Sequence, residues 1–211
     1  GTATDQEGNS FEWINYGTQD WAIETAEVVA YRDGTAIPQV TSSAEWQNLT
    51  TGAWCYFDND PSKEKLYNWY AVAGIHDNEV TTPNKEFAPE GWHVPTDAEW
   101  STLENHLIAT GYNYDGTTTE DKIAKSMAAT TGWDERTDEG VPGNNSITNN
   151  TSGFNAYPVG FRSNNGVFVN QNNDSPNFDG GYAILWSSTP TNTGAFYRDL
   201  DGSDIDLDRA S

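Results

Sequence analysis

The ten residues GWHVPTDAEW, at positions 91–100, place a histidine and acidic side chains between two tryptophans. Histidine and carboxylate groups are the usual general acids and bases of enzymes, so this run is the first candidate for chemistry. The run also fits a helix start, because Thr96 and Glu99 have the spacing of a capping box and Trp100 begins an apolar stripe. We therefore predict that it builds the fold. His93 is its one polar residue without a local structural role.

The elements that position such a run are short. Trp100, Leu103 and Leu107 recur at i, i+3 and i+7 and predict one helix, and Ile123 and Met127 predict a second. Elsewhere, turn residues separate short aromatic or β-branched runs, which predicts short antiparallel strands. Together these patterns indicate an α+β fold with two helices.

Two polar segments without apolar periodicity, residues 130–151 and 171–180, predict long loops, which in compact domains often carry function. Between them, Asn165 and Gly166 separate two apolar runs and predict a tight hairpin. The run YAILWSST, which begins at Tyr182, predicts a central strand.

The composition limits the possible partners. The chain has 32 acidic residues against 10 lysines and arginines, which gives a formal net charge of −22. Such a surface repels nucleic acid and anionic lipid, and it suits divalent cations or a calcium-rich setting such as seawater. Cys55 is the only cysteine, so an internal disulfide and a cysteine-based zinc cluster are excluded. No apolar run approaches the ~20 residues that span a bilayer, and no linker divides residues 1–211, which we interpret as one domain excised from a larger protein.

The segment AFYRDLDGSDIDLDRAS, at the end of the chain, offers the best candidate metal site. If Gly202 and Ser203 form a two-residue turn, alternation places four carboxylates on one face of a hairpin. These carboxylates belong to Asp199, Asp201, Asp204 and Asp206. Like charges that lie opposite each other destabilise a hairpin unless they are well hydrated or bind a cation. Ca²⁺ prefers such hard oxygen ligands, so two alternatives stand, a calcium site and an ordinary acidic hairpin.

The run GWHVPTDAEW resembles the signature of the Fibrobacter succinogenes major paralogous domain. Further segments resemble the blocks of that family in the same order, from about residue 1 to 198. They are GTATDQEGNSF, WINYGTQDW, YRDGT, WCYFDNDPSKEKLYNWYAVAG, SGFNAYPVGFR and LWSST. The resemblance implies a C-type-lectin-like fold, in a wider group that includes the formylglycine-generating enzymes. The chain departs from the family at Ala88 and Pro89, where a cysteine often stands, and it shows no apolar closing strand before Ser211.

The residues give little support for catalysis. Formylglycine-generating enzymes work through a copper-binding cysteine pair, which a single cysteine does not supply. Glycoside hydrolysis needs two carboxylates across a cleft, and no spacing in this chain selects a pair. Nucleophile-elbow, P-loop and dinucleotide motifs are absent from the sequence. We therefore expect no enzymatic activity.

The resemblance implies a binding module instead. C-type-lectin-like domains bind ligands through calcium in their long-loop region, and some large bacterial surface adhesins carry a domain of this family. By this resemblance, the expected ligand-binding residues are Tyr182, Trp186, Tyr197, Arg198, Asp199 and Asp201. The resemblance also implies a second, structural Ca²⁺ at the turn with Asp58, Asn59, Asp60 and Glu64, for which an Asx-type turn is the alternative.

We thus expect a secreted or cell-surface monomer that binds peptide or glycan on another cell in a calcium-dependent way. A peptide's terminal carboxylate could complete the coordination shell of an open Ca²⁺ site. Neither a nucleic acid partner nor membrane insertion is expected. The alternative function is a structural spacer module of a cell-surface protein that binds nothing.

Overall fold

The computed structural model describes residues 1–169, 181–192 and 194–211. The strands of this part of the chain are β1 (Thr2–Thr4), β2 (Ser10–Tyr16), β3 (Gln19–Ala22), β4 (Trp54–Tyr56), β5 (Lys65–Tyr67), β6 (Phe161–Arg162), β7 (Phe168–Val169), β8 (Tyr182–Pro190), β9 (Ala195–Asp201) and β10 (Asp208–Ala210). The helices are α1 (Ser43–Trp46), α2 (Trp69–Val72), α3 (Asp97–Ala109) and α4 (Ala124–Met127). This mixture of short strands and few helices agrees with the predicted α+β class.

The strands form small antiparallel sheets with the orders β1-β2-β3, β10-β9-β8, β4-β5 and β6-β7. In the second of these sheets the central strand is β9. The prediction of a central strand for YAILWSST is therefore wrong, because β8 lies at the side of its sheet. On the side away from β9, Ala183 makes a single bridge to Gly160 within the described residues.

Helix α3 begins at the predicted capping box. The Thr96 hydroxyl accepts the Glu99 N–H at 3.2 Å, and the Glu99 carboxylate accepts the Thr96 N–H at 2.8 Å. Trp100, Leu103 and Leu107 are buried along one side of the helix, as their spacing predicted. The run GWHVPTDAEW therefore supplies a helix start and part of the core.

The second predicted helix is only the single turn α4. Ile123 and Met127 are both fully buried, so their apolar character reflects the core. Ala128 already has extended backbone angles and pairs with Ala156 across a parallel bridge. The chain therefore leaves the helix after one turn to make this backbone pairing.

The main core is rich in aromatic side chains. The rings of Trp21 and Trp100 lie 4.6 Å apart, and Phe154 packs 6.0 Å from Trp100. Ala183 of β8 and Leu200 of β9 close this core from the sheet side. One face of the β10-β9-β8 sheet is thus packed inward, and its other face is left for the candidate site.

Asn165 and Gly166 lie in the predicted tight hairpin, between β6 and β7, where Gly166 has a φ of +81°. Arg162 anchors this hairpin, because its guanidinium packs 4.5 Å from the Trp46 ring and 4.7 Å from the Phe168 ring. Among the described residues, no helix is long and apolar enough to cross a membrane.

Candidate metal centre

The outward face of the β10-β9-β8 sheet brings most of the predicted ligand-binding residues together. Tyr182 lies opposite Asp201, and Trp186 lies opposite Tyr197. Side chains alternate along a strand, so these four residues and Asp199 share one face. All five are half-buried.

The acidic hairpin has a different register from the predicted one. Asp208, and not Asp206, lies opposite Asp199. The predicted turn at Gly202 and Ser203 is present, because the Asp204 N–H donates to the Asp201 carbonyl at 3.2 Å, but the predicted pairing beyond it is wrong, since residues 202–207 form a longer loop between β9 and β10. Contacts outside the hairpin hold this loop, because the Ala124 N–H donates to the Ile205 carbonyl at 3.1 Å and Leu207 is buried in the core.

Carboxylates converge on this loop. Oxygen atoms of Asp204, Asp206 and Asp208 all lie within 4.8 Å of one another. The Oδ1 atoms of Asp199 and Asp206 are buried and have no hydrogen-bond partner among the described residues. No lysine or arginine of the described residues lies within 4.0 Å of these four carboxylates. Buried carboxylate oxygens without a partner are costly, so the cluster needs a proton or a cation.

The electrostatics of the cluster favour protonation when no cation is bound. Burial and the charges of Asp201, Asp208 and Asp204 raise the pKa of Asp199 to about 7. Burial, a hydrogen bond with the Asp204 carboxyl and the neighbouring charges raise the pKa of Asp206 to about 6. The pKa of Asp208 is also raised, mainly by burial. A divalent cation would reverse these shifts, because it favours the charged form of each carboxyl.

Asp201 has a structural contribution as well. Its Oδ1 accepts both the Ser203 N–H and the Ser203 hydroxyl at 2.8 Å, which closes an Asx-type turn at the tip of the hairpin. One carboxylate oxygen is thus used by the turn. The Asp201 carboxylate also lies near the cluster, since its charge contributes to the raised pKa of Asp199.

Arg198 lies on the opposite face of β9, and its side chain is fully buried. The guanidinium pairs with Asp97 at 2.8 Å and with the Glu104 carboxylate, and both residues belong to α3. Burial raises the pKa of Glu104 and Arg198 opposes this shift, so the pair is largely removed from water. The expected ligand contact by Arg198 does not fit this position, because the residue exposes no surface to a ligand.

The aromatic residues of the outward face form a wall beside the acids. Trp186 and Tyr197 pack edge to face with ring centroids 5.7 Å apart. The Trp186 indole N–H donates to the Tyr67 carbonyl at 3.0 Å, which fixes the orientation of the ring. Tyr182 packs against Phe161 at 6.0 Å. The wall is therefore held in place by packing and one hydrogen bond, and it is only partly open to solvent.

The second candidate metal site has local partners instead. Lys63 pairs with the Asp58 carboxylate at 2.8 Å. Asp60 accepts the Ser62 N–H at 2.9 Å and the Ser62 hydroxyl at 2.8 Å, which is the Asx-type turn that was the alternative for this segment. These hydrogen bonds lower the pKa of Asp60. Because both carboxylates already have partners, the geometry favours the turn over a calcium site at Asp58 and Asp60.

The segment 130–151 reaches the acidic hairpin. The Gly143 N–H donates to the carbonyl of Gly202 at 3.0 Å. Lys125 holds this segment in place by donating to the carbonyl of Asn144 and, at 2.8 Å, to the amide oxygen of Asn149. Asn149 is buried and donates to the Pro142 carbonyl at 2.9 Å. The polar composition predicted a loop here but gave no sign of these anchors. The second predicted loop, residues 171–180, lies outside the described residues.

We predict that Lys125→Met loosens the segment 130–151. The methionine keeps the apolar stem but leaves the Asn144 and Asn149 oxygens without their donor, which makes local opening easier. Amide hydrogen exchange at Gly143 should become about tenfold faster. Lys122→Met is the matched control, since Lys122 pairs with Asp115 elsewhere on the surface and should leave exchange at Gly143 unchanged. Equal exchange rates in both variants would contradict the anchoring role.

His93 also has a partner that its sequence position did not reveal. Its Nε2 lies 2.8 Å from Glu99 Oε1, while the other oxygen of Glu99 caps α3. The His93 side chain is 65% exposed, so it is not a core residue. His93 therefore contacts the capping residue Glu99 at the protein surface and stabilises the start of α3.

The fold and the site together define an α+β domain with a half-buried aromatic wall beside an acidic hairpin, in which the carboxylates of three aspartates lie close together. The sequence model of the Fibrobacter succinogenes major domain matches residues 14–203. The chain belongs to this family. Comparisons with curated proteins and with solved structures gave no match.

Proposed function

We propose that this domain is a calcium-dependent ligand-binding module of an extracellular adhesive protein. The observation that carries the proposal is the pair of buried, unpartnered oxygens of Asp199 and Asp206 within a cluster of carboxylates. A bound divalent cation would satisfy both oxygens and cancel the repulsion among the neighbouring acids.

The chemistry of the cluster favours Ca²⁺ among the biological cations. The donors are carboxylate oxygens, with neither a histidine nor a cysteine in the described cluster, and such hard donors suit Ca²⁺ or Mg²⁺ better than Zn²⁺. The loop at residues 202–207 is irregular, and Ca²⁺ accepts six to eight oxygens in flexible geometry whereas Mg²⁺ demands a near-ideal octahedron. Asp204 and Asp208 are exposed, so a coordination position could face solvent.

The surroundings of the cluster support a ligand with both a polar and an apolar part. Tyr182, Trp186 and Tyr197 offer an aromatic wall on the same sheet face as the acids. Aromatic faces pack on apolar side chains or on sugar rings, and a ligand oxygen, such as a peptide's terminal carboxylate, could complete the Ca²⁺ shell. We propose peptide or glycan on another cell as the partner class. The proposal gives the domain no catalytic role and no nucleic acid partner.

We infer that the fold is C-type-lectin-like and that the protein acts as a monomer, secreted or at the cell surface. The capped helix α3 packed against the β10-β9-β8 sheet supports this fold, as does the resemblance of the sequence blocks to such domains. The resemblance to domains of large bacterial adhesins and the acidic composition support the extracellular site of action.

Peptide and glycan arrays, probed with and without excess chelator, test this function. We expect specific hits in millimolar calcium that disappear with chelator and with Asp206→Asn. Asp60→Asn is the matched control. It removes one carboxylate from the turn in which Asp60 accepts hydrogen bonds from Ser62, so binding to the arrays should be unchanged. A complete lack of calcium-dependent hits on a folded protein would favour the non-binding spacer module.

A further inference from the structure

Arg136 differs from the other basic side chains of the chain. Most lysines and arginines form ion pairs within 4.0 Å: Arg32, Lys63, Lys65, Lys85, Lys122, Arg198 and Arg209. Lys125 and Arg162 donate to oxygens of the chain instead. The Arg136 guanidinium has no hydrogen bond or ion pair with any described residue, although four acids lie within three positions of it: Asp134, Glu135, Asp138 and Glu139. In a chain of net charge −22, a guanidinium without a carboxylate partner is unexpected.

Arg136 is held beside the tip of the acidic hairpin. The backbone N–H of Arg136 donates to the Gly143 carbonyl at 3.0 Å. The backbone N–H of Gly143 donates in turn to the Gly202 carbonyl, also at 3.0 Å. The side-chain stem packs on Gly143, since a Cβ at this glycine would come within 2.5 Å of Arg136 Cγ. The Arg136 Nε is buried without a hydrogen-bond partner, and the residue as a whole is half-buried. The two hydrogen bonds thus link the backbone of Arg136, through Gly143, to Gly202, which lies between Asp201 and Asp204.

We propose that Arg136 binds a carboxylate of the ligand at the calcium site. A guanidinium presents a planar fork of donors that matches a carboxylate, and it remains charged at every physiological pH. No residue in the described part of the chain accepts a hydrogen bond from its guanidinium, so ligand binding breaks no pair seen there. This inference rests on the proposed calcium-dependent function, because the ligand must first be brought to the acidic hairpin.

Electrostatics explain why a cation and Arg136 would act together. Five aspartates of the hairpin, Asp199, Asp201, Asp204, Asp206 and Asp208, repel any anion when no cation is bound. A bound Ca²⁺ offsets two of these charges and attracts the carboxylate, and Arg136 adds a third positive charge from the side. Arg136 would therefore select anionic ligands over neutral ones of the same shape.

The test uses N-acetylglycine as the carboxylate probe and N-acetylglycinamide as its neutral analogue. With calcium present, N-acetylglycine should shift the NMR resonance of the Arg136 Nε–H group and the amide should not. Arg136→Gln should weaken N-acetylglycine binding about tenfold, the equivalent of one charge-assisted contact. Lys63→Gln removes the same charge far from the hairpin in sequence and should leave the affinity unchanged. Calcium affinity without probe should be the same in all three proteins.

Calcium binding without a carboxylate-specific shift at Arg136, or equal probe affinity in Arg136→Gln and wild type, would overturn this inference and leave the proposed function standing. A protein that binds no calcium would overturn the proposed function, and the inference with it. The resonance shift is measured in the wild-type protein, so the test does not depend on the folding of a variant.

Discussion

Replacing Arg198 by glutamine is expected to lower the free energy of unfolding by about 3–5 kcal/mol. The substitution removes the cation from a fully buried site and leaves the Glu104 carboxylate without its ion-pair partner, whereas Asp97 keeps its pair with Arg209. The pKa of Glu104 is already raised by burial and should rise further when Arg198 no longer opposes that shift. Urea denaturation followed by tryptophan fluorescence measures the loss.

Arg209→Gln is the matched control for this experiment. Arg209 also pairs with Asp97, but 48% of its side chain is exposed. Exposed ion pairs contribute little because water screens them, so this variant should be much closer to the wild type in stability. Similar losses in Arg198→Gln and Arg209→Gln would contradict the account, since they would show that burial of Arg198 does not set the cost.

Asp199→Asn is expected to stabilise the protein when chelator removes all divalent cations. Its pKa is raised to about 7, so the charged carboxyl destabilises the folded state in mildly alkaline solution. One pKa unit corresponds to about 1.4 kcal/mol, and the shift predicts a gain of about 2–4 kcal/mol near pH 8. In saturating calcium the same substitution should destabilise the protein, because it removes one of the proposed metal ligands.

The pH dependence of the chelated wild-type protein follows from the same shift. The folded state binds a proton at Asp199 more tightly than the unfolded state does, so this contribution to stability is present at low pH. It is lost as the pH rises through about 7. Chelated protein should therefore become less stable from about pH 4, near the pKa of an unfolded aspartate, to about pH 7. Asp206 acts in the same direction, since its pKa is raised to about 6.

Two comparisons make this prediction testable. Asp138→Asn removes a charge from an exposed position and should change neither the stability nor its pH dependence. Asp199→Asn should flatten the decline of stability with pH in chelator. If Asp199→Asn lowers the stability of the chelated protein, the Asp199 carboxylate has a favourable partner, and the argument for a cation at this position fails.

Features set by local physics could be predicted from the sequence. The capping box of Thr96 and Glu99 and the stripe from Trp100 to Leu107 define α3, because each involves only neighbours along one helix. The glycine turn at Gly166 follows from the positive φ that the hairpin requires. The identity of the outward sheet face followed from the alternation of side chains.

Features set by distant contacts could not be predicted. The register of the acidic hairpin depends on Ala124, which lies far from it in sequence and holds residue 205. Arg198 is buried because it pairs with two acids of α3. The alternation of residues along β9 shows which side chains share a face, but it does not show which helix packs on that face. That the Arg136 guanidinium has no partner among residues 1–169, 181–192 and 194–211 likewise becomes visible only when the other basic side chains have been placed.

Calcium titration of chelator-treated protein, by calorimetry and by thermal unfolding, tests the central claim most directly. We predict saturable binding and, at about 100 times the dissociation constant, a stabilisation of about 2.7 kcal/mol, or a rise in Tm of about 5–10 °C. Asp206→Asn should abolish both effects, and Asp60→Asn should retain them. A folded protein that shows neither binding heat nor a change in Tm would contradict the calcium site at the acidic hairpin.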